Sequence, residues 1–169
     1  MFARLAARDL AIVGAAVLVW RLGAQFSAAD GALADFVGVA VGLLGGVCIF
    51  VLHEWGHLLG AFATGSAIRA PRTLATPFLF SFDSRRNSRR QFLVMSFAGW
   101  AATGACVWAA YALLPAGLFA ARVARGVVIA NALLVLVIEV PLVAFSLLTG
   151  RIPPVETQAA PRAAEQAAA

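Results

Sequence analysis

Residues 53–57 read His-Glu-Trp-Gly-His, and they contain the only two histidines in a chain of 169 residues. A spacing of four sets both imidazoles on one face of a helix, one turn apart. That pair grips a zinc ion through neutral ring nitrogens. Glu54, between them, is turned away from the ligand face. It is placed to act as a general base, taking a proton from zinc-activated water and passing it to a leaving amine. The chemistry implied by these five residues is metal-assisted hydrolysis.

A catalytic zinc takes three protein ligands and leaves one position open. No third histidine exists, and Cys48 and Cys106 stand alone in apolar stretches without a CxxC spacing, as small apolar fillers do. Six of the eight acidic residues fall in loops or at the ends of apolar runs: Asp9, Asp30, Asp35, Asp83, Glu156 and Glu165. Glu54 and Glu139 lie deep within such runs, where an unpaired carboxylate costs on the order of 3 kcal/mol or more. Glu54 is accounted for by the motif. Glu139 is accounted for if it is the third ligand to one zinc ion per chain, with Asp83 as the alternative. Pro141 predicts a break or kink beside it that opens backbone to a wet cavity.

The elements that must position these groups are membrane spans. The chain is 62% hydrophobic and only 12% charged, with a mean hydropathy of +0.89. A soluble domain of this length cannot bury so much apolar surface. The expected fold is an all-α integral membrane protein of about four transmembrane helices, over residues 10–26, 36–63, 92–114 and 127–148. Arg4 and Arg8 before an apolar run resemble a signal peptide, but Arg21 closes the run and further spans follow, so an uncleaved first helix is expected. Gly38, Gly42, Gly45 and Gly46 line the first half of the second span, where small residues let helices approach closely. Between the second and third spans, Phe78-Leu79-Phe80-Ser81-Phe82 suggests a short membrane-associated β-hairpin or extended loop, ending in a basic turn at 83–90. A link with Pro115, Arg122 and Arg125 joins the last two spans. Residues 1–150 form one domain, and 151–169, rich in Ala and Pro, form a tail expected to be disordered.

The net charge is +5 and the isoelectric point is near 11.0, but the arginines sit at loops and helix ends as anchors against a lipid bilayer. That distribution argues against nucleic acid as a partner. Every basic residue is Arg, and six of them (69, 72, 85, 86, 89 and 90) fall between the second and third spans. By the positive-inside rule that loop and both termini face the cytoplasm, with Arg122 and Arg125 on the far side. The expected location is an inner, cytoplasmic membrane of bacterial type.

At this point the chain resembles the site-2 protease family of intramembrane zinc metalloproteases. Phe50 to Gly60, with His53, Glu54, Gly56 and His57, is similar to that family's HExxH helix. Ser96-Phe97-Ala98-Gly99-Trp100 resembles its Ala-Gly-Pro segment, with Trp100 where Pro is usual. Asn131 and Glu139 match the spacing of a third motif in which an Asn precedes a metal-binding Asp by eight positions, and the family's Leu-Asp-Gly reads Ile138-Glu139-Val140 here. The stretch around 78–82 is similar to its membrane-associated hairpin. The resemblance covers roughly 36–150 and is to a minimal core, since no segment is long enough for the family's PDZ or CBS domains. It implies hydrolysis of peptide bonds in or near a substrate protein's transmembrane helix, as in regulated intramembrane proteolysis. His53, His57 and Glu139 would bind zinc and Glu54 would act as base. Asn131 would either position substrate backbone or make a helix–helix hydrogen bond.

The rival reading is a catalytically weak relative that binds metal, or holds a transmembrane partner, without cleaving it. A small transporter would want more intramembrane polar groups. A second membrane HExxH class, with Glu as third ligand and Asp four residues later, fails because position 143 is Val. No Gly-x-Ser-x-Gly elbow supports a serine protease.

Overall fold

A computed structural model describes residues 1–29 and 31–154. Four helices follow one another: α1 (Phe2–Gly23), α2 (Ala32–Ala63), α3 (Arg89–Leu113) and α4 (Phe119–Thr149). A single 3₁₀ turn, Phe26–Ala28, lies between the first two. In the long connection from α2 to α3, β1 (Ile68–Arg69) pairs antiparallel with β2 (Ser81–Phe82).

Helices α2, α3 and α4 are each long and apolar enough to cross a membrane. Helix α1 is not among them, which corrects the expected count of four spans to three by length and composition. It begins at Phe2 rather than Leu10, so its 22 residues take in Arg4, Arg8, Asp9 and Arg21. The other helices also begin before their expected bounds. Most consequentially, Arg122 and Arg125 belong to α4 and not to a link. Arg125 donates to the carbonyls of Ala110, Tyr111 and Leu114 at 3.1, 3.4 and 2.6 Å, satisfying the open C-terminal end of α3. Pro141 sits inside α4 and the helix continues through it, so the expected break does not occur.

Local signals explain the boundaries. Ser88 caps α3 in a reciprocal pair with Gln91, the capping box that satisfies two orphan amides. Pro115 halts α3, because the residue before a proline avoids helical geometry. Gly150 ends α4 at φ 71°, a left-handed cap that glycine adopts without strain. Of the tail expected to be disordered, 151–154 have no regular structure although Pro153 is buried; residues 155–169 lie outside those described.

The helices run up, down, up and down. Leu5 of α1 packs with Leu58 and Ala61 of α2 at one end, and Trp20 and Ala24 meet Val37 and Val41 at the other. Gly38, Gly42 and Gly46 face Phe119, Val123 and Val127 in matching order, so α4 lies parallel to α2 along a stripe of glycines. Helix α3 is antiparallel to both. The N-termini of α1 and α3, the C-termini of α2 and α4, and the β segment therefore meet at one end of the bundle.

Candidate metal centre

His53 and His57 project from α2 toward α3 and α4. The crossing with α3 is close because Gly56 lies on it: a Cβ there would come within 2.7 Å of the Ala98 carbonyl oxygen. At Gly99 a Cβ would collide with the His57 ring itself. These two glycines leave room for the imidazoles to lie between the helices.

Helix α3 fixes both rings. The Nδ1–H of His57 donates to the Met95 carbonyl at 3.0 Å. The Nδ1–H of His53 is directed at the Gly99 carbonyl at 3.2 Å and the Thr103 hydroxyl oxygen at 2.9 Å. Carbonyls only accept, so each Nδ1 carries a proton, and in the neutral ring each Nε2 is then the acceptor. Residues 95, 99 and 103 stand four apart, making one stripe of α3 that pairs with the two-histidine stripe of α2.

The third group arrives from α4. Glu139 Oε1 lies 2.8 Å from His53 Nε2 and 3.4 Å from His57 Nε2, and the two Nε2 atoms are 2.9 Å apart. With both imidazoles neutral, three acceptor atoms converge with no hydrogen between them. Neutral imidazoles and a carboxylate repel in that arrangement, and only a shared cation, proton or metal ion, reconciles them. The separations are comparable with the roughly 3.3 Å edges of a tetrahedral zinc site. His53, His57 and Glu139 form a group within metal-binding distance. Of the groups expected to bind, these three come together. Asp83, the alternative ligand, instead pairs with Arg69 at 3.6 Å.

The remaining oxygen of Glu139 is also engaged. The indole N–H of Trp100 donates to Oε2 at 2.8 Å, leaving Oε1 free for the cluster. Sequence reasoning noted Trp100 only as a departure from a motif and missed this role, and it missed Thr103. The signal for Thr103 was its place four residues after Gly99 on an apolar helix. For Trp100 there was no such period, because its partner is on another helix.

Glu54 is buried beside the cluster and is not one of the three converging groups. The Leu79 amide donates to its Oε2 at 3.5 Å. With His57 and Glu139 it lines a cavity of about 220 Å³. Asn131 stands eight residues before Glu139 on α4, about 12 Å along the axis. It is half-buried and does not line this cavity.

A second polar cluster braces the motif from behind. The Trp55 indole N–H donates to Asp9 Oδ2 at 2.8 Å, and Asp9 Oδ1 is paired with Arg8 at 2.7 Å. Arg8 also donates to the carbonyls of Leu74 and Thr76, at 2.7 Å each. Helix α1, the motif helix and the segment leading to Leu79 are tied by one carboxylate and one guanidinium.

Comparison of the chain with protein-family models, with curated proteins and with solved structures returned no match.

Proposed function

We propose that this chain is a zinc-dependent intramembrane endopeptidase of the site-2 protease type, hydrolysing peptide bonds in or near transmembrane segments of membrane proteins. The observation that carries this reading is the convergence of two imidazole Nε2 atoms and one carboxylate oxygen, with an additional, non-converging glutamate in the adjoining cavity. His53, His57 and Glu139 would hold the ion; two imidazoles and a carboxylate suit zinc. A zinc ion held there supplies Lewis acidity, which activates water and polarises a carbonyl.

The chain's own residues account for the rest. Met95, Gly99 and Thr103 hold the two rings with their lone pairs inward, and Trp100 holds Glu139 with one oxygen inward. Glu54 takes the proton of the attacking water on its carboxylate and returns it to the leaving amine. Three helices long and apolar enough to cross a membrane carry the site. This supports a membrane setting for the reaction.

The test is a Glu54→Gln variant assayed beside wild type. Both are expected to hold about one equivalent of zinc, because Glu54 is not a ligand. Cleavage of a membrane substrate by the variant is expected to fall about 10²- to 10⁴-fold. Full cleavage by the variant would remove Glu54 as the base. Zinc binding without any cleavage by wild type would favour the rival reading, in which the chain holds a transmembrane partner.

A further inference from the structure

The cavity beside the metal centre has two unlike sides. One carries Glu54, His57 and Glu139. The other is mainly apolar: Phe80 and Phe82 from the β segment, Phe92 and Met95 from α3, and Ile138 and Leu142 from α4, with Ser84 and Ser96 as its uncharged polar members. Phe78 lines it too, so the segment that ends in β2 brings three phenylalanine rings to this space. Ile138 and Leu142 are four apart and flank Glu139 on α4. Beyond the Gly150 turn, the buried Pro153 adds a further apolar wall. Among the described residues, no arginine lines the space.

A peptide carbonyl held at the His–Glu cluster would place the side chain next to it within reach of this space. A volume of about 220 Å³ accommodates a large apolar side chain, and filling it removes that side chain from water or lipid against close-packed neighbours. An acidic side chain would have to enter among these apolar walls with no arginine to pair with, beside the carboxylate of Glu54. Resting on the protease reading, we infer that this cavity is a specificity pocket for a large apolar side chain, Leu, Met or Phe, adjacent to the scissile bond, with Leu142 setting its depth. Leu142 is half-buried and is neither a ligand nor the base.

The experiment uses the zinc-loaded full chain in proteoliposomes and a panel of transmembrane peptides differing only at one residue beside the mapped cleavage point. Leu and Phe are expected to exceed Ala in kcat/KM by about 10- to 200-fold, the range that an apolar pocket discriminates, and Asp is expected to be refused. Leu142→Phe should shift the preference toward Ala, and Leu142→Ala should shift it toward Phe. The opposite signs at one position separate pocket size from general damage, and the zinc content of each variant reports its fold. A photoreactive apolar side chain at the same substrate position should crosslink to the wall around Leu142 in the Glu54→Gln variant. A flat profile, or a preference that neither Leu142 variant moves, would overturn the pocket and leave the protease reading standing. A zinc-loaded wild type that cuts no peptide in the panel would sink the protease reading, and the pocket with it.

Discussion

At the residue scale, the proposed metal centre depends on the groups that aim His53, His57 and Glu139 as much as on those three residues. Trp100 fixes the carboxylate of Glu139 through a 2.8 Å hydrogen bond. In Trp100→Phe the ring is kept and the donor is lost, so Glu139 can rotate. Zinc affinity, measured by chelator competition, is expected to fall about 10- to 100-fold, as it does when a metal ligand loses its supporting hydrogen bond; unchanged affinity would show that the indole does not position the ligand. Gly99→Ala should do more, because the added methyl occupies the place of the His57 ring. That variant is expected to lose zinc while keeping its helical circular dichroism. His53, His57 and Glu139 were legible from the sequence because two ligands obey the helical period and the third is a carboxylate deep in an apolar run. Thr103, Trp100 and the backbone acceptors were not, since their role exists only after α3 has crossed α2.

At the element scale, the brace behind the motif is the least expected feature. Asp9 is nearly fully buried, 3% exposed, and accepts from Trp55 of α2 and from Arg8, which also holds the carbonyls of Leu74 and Thr76. The segment so held leads to Leu79, whose amide meets Glu54. Asp9→Ala would orphan the indole N–H and leave Arg8 without its carboxylate, at a cost of about 1–3 kcal/mol. The segment should then open more often, and limited trypsin digestion at Arg69 and Arg72 should run at least several-fold faster than in wild type. Equal digestion rates would mean that β1–β2 pairing alone secures it. The sequence indicated helices at nearly the observed places, since 18 or more apolar residues leave few alternatives. It misjudged α1 because an amphipathic N-terminal turn, with Arg8 and Asp9 committed to tertiary partners, reads locally as a polar flank. The short strands were anticipated as a hairpin or extended loop around 78–82, without the pairing of Ser81–Phe82 to Ile68–Arg69. They are two residues each, too short for alternation to define them.

At the scale of the whole molecule, the bundle is polarised by its arginines. The end where the β segment lies carries Arg4, Arg8, Arg69, Arg72, Arg85, Arg86, Arg89, Arg90 and Arg151, whereas the opposite end carries Arg21, Arg122 and Arg125. Arg125 is already committed to the carbonyls that end α3 and Arg122 stacks on Phe119 at 5.5 Å, so local structure explains both without reference to sidedness. In the proposed membrane setting, the positive-inside rule would put the β-segment end in the cytoplasm. His53 lies ten residues from the end of α2, about 15 Å of helix. That depth would set the metal centre below the cytoplasmic surface, open toward the segment that covers it. Single cysteines placed at Arg4, Arg85 and Gly117, in a background with Cys48 and Cys106 changed to Ala, test this arrangement. An impermeant maleimide is expected to label the first two only in inverted bacterial vesicles and the third only in right-side-out cells. Labelling at positions 85 and 117 from the same face would mean that α3 does not cross the bilayer, and a metal centre built between α2, α3 and α4 would then need a setting other than the membrane interior.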